Sequence, residues 1–198
     1  MRAKTETRMT PQHQRIIDAL FKAVAEAESL YAILDSARTI DIAFQLQNIQ
    51  GVEYVSLYKG RKEELMWDAA PYLTRCERDS EFFNWVIEQG WGNSWGIFLT
   101  SASSLDDLCK HFRQFLLVQD ENGKQMYFRF YDPRVLRLYL PTCNAEETKQ
   151  FFGPVNCYLM EASQPDTLLK FAASPQGVKQ QAVFLQIPKQ EATEGSAS

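Results

Sequence analysis

The sequence predicts a single domain of mixed α and β structure, with a central mixed sheet flanked by helices. Three observations predict it. Up to Leu116, stretches with apolar residues three and four apart alternate with short apolar runs, as when helices are laid against strands. Beyond Leu116 the strand-like runs cluster, which favours a sheet of mixed strand direction over a purely parallel one. The chain has 198 residues, 45% hydrophobic and 23% charged, enough for one full-sized core and cramped for two.

The elements follow in order. Residues 1–9 are polar and read as a loose N-terminus. Thr10-Pro11 supplies a capping hydroxyl and then proline at the first helical position, opening a helix to about Ser29 with Ile16, Ile17, Leu20, Phe21 and Val24 on one face. Leu30–Leu34 reads as a buried strand. Asp35-Ser36 can cap a second helix with Ile40, Ala43 and Phe44 inward, and Val52–Tyr58 reads as a second strand. A polar turn or short helix spans Lys59–Asp68, and Pro71-Tyr72-Leu73 opens another extended piece.

Asp79 is placed to cap a helix carrying Phe82, Phe83, Val86 and Ile87 on one face, with Gly90 as its stop. A strand follows over Trp95–Thr100. Ser104 then caps a helix with Asp107 three residues on, in the capping-box spacing, and Leu105, Leu108, Cys109, Phe112 and Leu116 form its apolar stripe. Asn122-Gly123 between Leu116–Val118 and Met126–Phe130 is a strong hairpin signal. Asp132-Pro133 starts a helix holding Val135, Leu136 and Tyr139, and a short helix covers about Glu146–Phe152. Strands are expected at Asn156–Met160, Leu168–Ala172 and Ala182–Ile187. The organisation is one domain over 10–187 and a polar tail, 188–198, expected to be disordered.

Composition removes several function classes. A net charge of −4 and the lack of an uninterrupted basic stripe argue against nucleic acid and against an anionic membrane surface. No run approaches the ~18 apolar residues of a membrane-spanning helix, and the N-terminus has no signal-peptide core. Cys76, Cys109, Cys143 and Cys157 are isolated from one another, and only His13 and His111 could join them, so neither a zinc site nor another cofactor is expected. Isolated, apolar-flanked cysteines fit reduced core residues and a cytoplasmic setting.

The catalytic motifs fail on context. Gly92-Asn-Ser94-Trp-Gly96 matches the G-x-S-x-G of serine hydrolases, which needs a strand before it and a helix after it. Here a helix precedes and a strand follows, and His111, the one later histidine, lies inside the Ser104 helix. Gly90-Trp-Gly92-Asn-Ser-Trp95-Gly96 approaches a dinucleotide loop, but Trp95 stands where the third glycine is needed for close packing. What remains is Phe128-Arg129-Phe130-Tyr131-Asp132-Pro133-Arg134, where an apparent strand turns directly into a capped helix. Asp132 and Pro133 have a structural role there. Arg129 and Arg134 either pair with Asp132 or another acid, or grip a partner's carboxylates or backbone.

These residues resemble a known family. Tyr31–Ala37, Leu57-Tyr58-Lys-Gly60, Ala70–Leu73, Trp95–Ser101, Leu105–Val118, Phe128–Leu136 and Phe151-Phe-Gly153-Pro154 occur in an order similar to the domain of unknown function 4123 family, the adaptor-chaperones of bacterial type VI secretion. The resemblance covers roughly residues 30–155. It implies a non-enzymatic protein that binds a toxic effector, often beside the spike protein VgrG, and helps place it on that spike. It carries over no catalytic residues. The expected partner contacts are Trp91, Trp95, Arg129, Tyr131 and Arg134, since aromatic and arginine anchors dominate such interfaces; the two tryptophans serve core packing equally well. The alternatives are a small hydrolase using Ser94 with His111, and a toxin-neutralising immunity protein.

Overall fold

The computed structural model describes residues 9–119 and 122–185. Helix α1 (Pro11–Lys22) begins as expected, with the Thr10 hydroxyl accepting from His13 N–H. It stops about two turns early, at Lys22, and Ala27 takes a positive φ of 64° in the turn that leads to β1 (Ser29–Asp35). Helix α2 (Asp41–Asn48) corrects two expectations. Asp35 ends β1 and does not cap α2, and the buried face is Ile42, Ala43 and Leu46. Ile40 and Phe44 are exposed; Phe44 meets Trp67 edge-on, with ring centroids 5.5 Å apart.

Strand β2 (Tyr54–Ser56), helix α3 (Arg61–Leu65), a 3-10 turn and β3 (Pro71–Cys76) follow. Ser80, one residue after the expected Asp79, caps α4 (Glu81–Gly90) by accepting from Phe83 N–H. Strand β4 (Gly96–Ser101) and α5 (Leu105–Arg113) come next, and Ser104 caps α5 as expected. The hairpin is β5 (Leu117–Gln119) and β6 (Gln125–Tyr127), shorter than expected because the chain turns away after Phe128 N–H bonds the Leu116 carbonyl. Helices α6 (Pro133–Tyr139) and α7 (Ala145–Phe152) precede a meander of β7 (Cys157–Glu161), β8 (Thr167–Ser174) and β9 (Gly177–Phe184). The expected loose N-terminus, apart from Met9, and the tail from Pro188 lie outside the described residues.

Among the described residues the central sheet has seven strands in the order β2-β3-β1-β4-β7-β8-β9, with helices around it in one domain, as the sequence predicts. Its ladders are all antiparallel, so the expected mixture of directions is absent. The crossover from β3 through α4 to β4 does join like-directed strands, but β1 lies between them and pairs antiparallel with both. Phe98 pairs with Leu159, and Leu99 with Tyr158, so Phe98 and Tyr158 point to opposite faces. Phe98 meets Phe83 of α4, while Tyr158 meets Phe112 of α5 and Phe151 of α7. Both faces of β1 and β4 are therefore buried under helices. That explains why these strands read as continuous apolar runs and do not alternate.

Two glycines are fixed by space. A Cβ on Gly96 would lie 2.1 Å from the Ile33 carbonyl oxygen of β1. Gly153 ends α7 at φ +47°, and a Cβ there would meet the His111 ring at 2.5 Å.

Candidate functional site

The run from Phe128 to Arg134 is a corner, not a strand. Phe130 and Tyr131 go inward, and the Asp132 carboxylate caps α6 by accepting from Arg134 N–H at 2.9 Å. Proline at the first helical position costs nothing there, because that N–H has no helical partner in any case. The Arg134 guanidinium folds back on the same carboxylate, Nε at 3.0 Å and Nη2 at 2.6 Å. Arg129 donates to Asp35 at the end of β1.

The two pairs share one design. The carboxylates are inside, with side chains 1% (Asp35) and 4% (Asp132) exposed, while Arg129 and Arg134 remain 44% and 48% exposed. Each guanidinium is thus held in place from below and keeps N–H donors facing water. Burial pushes the Asp132 carboxyl up, but hydrogen bonds from Arg134 outweigh it and hold the group below the usual carboxylate range. Tyr131 is buried against Tyr58. Burial and that neighbour raise its hydroxyl well above the ordinary phenol value, so it is a neutral structural group and not a surface anchor.

Beside the corner lies an open groove lined by Phe128, Asp132, Arg134, Val135, Leu138 and Tyr139. Leu138 is 72% exposed, a large apolar side chain presented to solvent from α6. On the other side of Phe128 the hairpin exposes Leu117, Met126 and Tyr127. The Lys62 ammonium sits 3.6 Å from both the Tyr58 and Tyr127 ring centroids, tying the hairpin to α3.

The two tryptophans are half-buried at the same end of the sheet. Trp91 stacks on Phe98 and donates through Nε1 to the Pro165 carbonyl at 2.7 Å; Trp95 packs on Trp85 with centroids 4.9 Å apart. Both line a small cavity with Leu34, Gly90, Phe98 and Glu161. The Trp95 carbonyl accepts from Asp35 N–H at 2.8 Å. Asp35 therefore joins the tryptophan loop to the arginine corner, and the structure brings Trp91, Trp95, Arg129, Tyr131 and Arg134 to one end of the sheet.

Ser94, inside the G-x-S-x-G match, has a positive φ of 55° and a partner the sequence does not suggest. The buried Glu161 carboxylate accepts from Gly92 N–H, from Ser94 N–H at 2.9 Å and from the Ser94 hydroxyl at 3.1 Å. Burial pushes the Glu161 carboxyl up, and these hydrogen bonds offset only part of that. His111 is engaged elsewhere, its Nε2 at 3.0 Å from the Phe151 carbonyl oxygen and its imidazolium form disfavoured by burial. Ser94 and His111 therefore have separate partners. The loop is shaped around the Glu161 carboxylate, and the histidine that a serine-hydrolase reading would need is not beside the hydroxyl.

Glu161→Ala leaves two N–H donors short of an acceptor, at about 1–3 kcal/mol each. A loss of about 2–4 kcal/mol in urea unfolding is expected, against about 1 kcal/mol for Ser94→Ala, and equal losses would show that the backbone bonds are unimportant.

Sequence reasoning missed Glu161 and the pairing role of Asp35. The available signal was the same for both: a lone carboxylate closing an otherwise apolar strand. Among the described residues no group of three or more histidine, cysteine or acidic side chains can hold a metal ion. The four cysteines are free and buried, and burial raises every thiol above its ordinary value.

No curated protein and no solved structure matches the chain. A family model described as domain of unknown function (DUF4123) matches residues 30–150, from the start of β1 into α7, and so takes in the arginine corner and the tryptophan loop. With more than half of its length matched, the chain belongs to the DUF4123 family.

Proposed function

We propose that this protein is a cytoplasmic adaptor of bacterial type VI secretion that binds a cognate toxic effector and helps load it onto the VgrG spike. The family resemblance supplies the pathway. The observation that supports a binding role is the paired-arginine corner beside the α6 groove. Two half-exposed guanidiniums are each pinned by a buried carboxylate, and one of them, Arg134, lines an apolar groove with Leu138 at its lip. Pinned arginines lose little side-chain entropy on binding, and apolar grooves rimmed by arginine suit a protein segment carrying apolar and acidic or carbonyl groups. Among the described residues no helix is long and apolar enough to cross a membrane.

The test is co-expression with the toxin encoded beside this gene. The two are expected to co-purify, and toxin secretion is expected to stop when this protein is deleted in the donor. Leu138→Asp is expected to reduce co-purification at least about tenfold, the cost of losing one well-placed apolar contact and desolvating a charge. Its melting temperature should stay unchanged, because Leu138 is mostly in water already. No co-purification together with intact secretion would sink the adaptor reading. A deletion that instead sensitises recipient cells would identify an immunity protein.

A further inference from the structure

Among the described residues, the last strand of the sheet has a strand partner on one edge only. Among the described residues β9 pairs with β8 over its full length, from Ser174↔Gly177 to Thr167↔Phe184, and ends the sheet. Leu185 N–H donates to the Asp166 carbonyl at 2.8 Å, which sets the alternation along the strand. Val183, Gln181 and Lys179 aim their backbone groups at β8. Phe184, Ala182, Gln180 and Val178 aim theirs away from the sheet. Long exposed edges are normally blunted by charge, proline or a bulge. Over Gly177–Phe184 the only charged residue is Lys179, there is no proline, and the register with β8 is unbroken. Residues 179–182 are exposed, and Phe184 is 76% exposed.

We propose that β9 is the interface of a homodimer, in which two copies pair β9 to β9 antiparallel and continue one sheet across a two-fold axis. The strand's own sequence fits a second copy. Antiparallel partners must agree in the direction of their backbone groups, which leaves two near-centred registers, with Gln180 or Gln181 facing itself. The Gln180 register pairs Val178 with Ala182 and leaves Phe184 without a strand residue opposite it. The Gln181 register pairs Phe184 with Val178 and Gln180 with Ala182 on the face covered by α7, the side of Phe171 and Tyr158. On the other face it pairs Lys179 with Val183 and Gln181 with itself. It covers the exposed phenylalanine with a β-branched residue, puts no like charges opposite, and lets two side-chain amides bond to each other. Such an isologous contact closes on itself and cannot propagate into a fibre. Its size is small for a stable interface, so dissociation in the micromolar range is expected.

The test uses the full chain in sedimentation velocity at tens of micromolar. The wild type is expected to run as a dimer. Gln181→Lys places two ammonium groups face to face on the axis and is expected to weaken the dimer at least about tenfold. Gln181→Glu should do the same. Mixing the two variants should restore dimers of mixed composition, an outcome that misfolding of either variant cannot produce. Ala182→Pro removes an outward N–H that β8 does not use and should also give monomers. A wild-type monomer throughout this range, or a dimer that neither Gln181 variant weakens, overturns the proposal. The same holds if the mixture stays monomeric.

Discussion

Phe151→Ala is expected to cost about 3–5 kcal/mol. The ring is 1% exposed and sits at the centre of an aromatic cluster. Phe115, Tyr139 and Tyr158 lie with centroids 5.0, 5.5 and 5.4 Å away, and Phe128 and Phe130 complete the shell. Rigid rings on several elements cannot collapse into the space one of them leaves, so the cavity term is retained almost whole. Folded domains are stable by only about 5–15 kcal/mol in total. The urea midpoint should therefore fall steeply with little change in slope. Phe151→Leu, which refills most of the volume, should recover more than half of the loss. A Phe151→Ala loss below about 1 kcal/mol would mean that the cluster repacks freely.

Removing Arg129 should hurt the fold more than removing its partner. Arg129→Ala strands the Asp35 carboxylate, 1% exposed, with the Ala37 N–H as its remaining donor at 3.2 Å. Breaking a fully buried pair costs about 3–5 kcal/mol; with Arg129 nearly half in water, about 2–3 kcal/mol is expected. Asp35→Ala strands a guanidinium that water can reach, and should cost about half as much. The double variant should be less damaging than the two losses summed, since neither charge is then left alone. Urea unfolding of the four proteins gives the cycle. An Asp35→Ala loss equal to or above that of Arg129→Ala would show that the cost lies in lost contacts and not in the buried charge.

Local chemistry was legible wherever a signal and its partner lie within a few residues. Thr10, Ser104 and Asp132 cap their helices because the acceptor and the N–H it satisfies are two or three residues apart. Asp79-Ser80 shows the limit of this, since adjacent residues both qualify and backbone geometry selects Ser80. In α2 the turn ahead of the helix delays its start to Asp41, and that rotation brings Ile42, Ala43 and Leu46 inward in place of Ile40 and Phe44. Strand direction was not legible, because it depends on which runs become neighbours, and β1 inserts between β3 and β4 from far away in sequence. The site followed the same rule. The arginine corner announced itself as a contiguous run, while Glu161, which gives the Gly92–Gly96 loop its shape, lies 67 residues after Ser94. A G-x-S-x-G match read without Glu161 suggests a nucleophile; read with it, the serine is one of the groups that bind a carboxylate.

The junction between β4 and β7 has a bearing on how the chain reaches this state. Among the described residues three register pairs, Phe98↔Leu159, Leu99↔Tyr158 and Thr100↔Cys157, join the two parts of the sheet, and everything from α5 to α7 is strung between them. The β7-β8-β9 meander closes through short turns and pays little loop entropy, whereas this junction waits on the helices and the hairpin that separate its strands. On chain-entropy grounds the meander forms early and the junction late. During that interval β4 offers a bare apolar edge, and it is in the newly made chain, more than in the finished one, that this protein is most exposed to sticking to its neighbours.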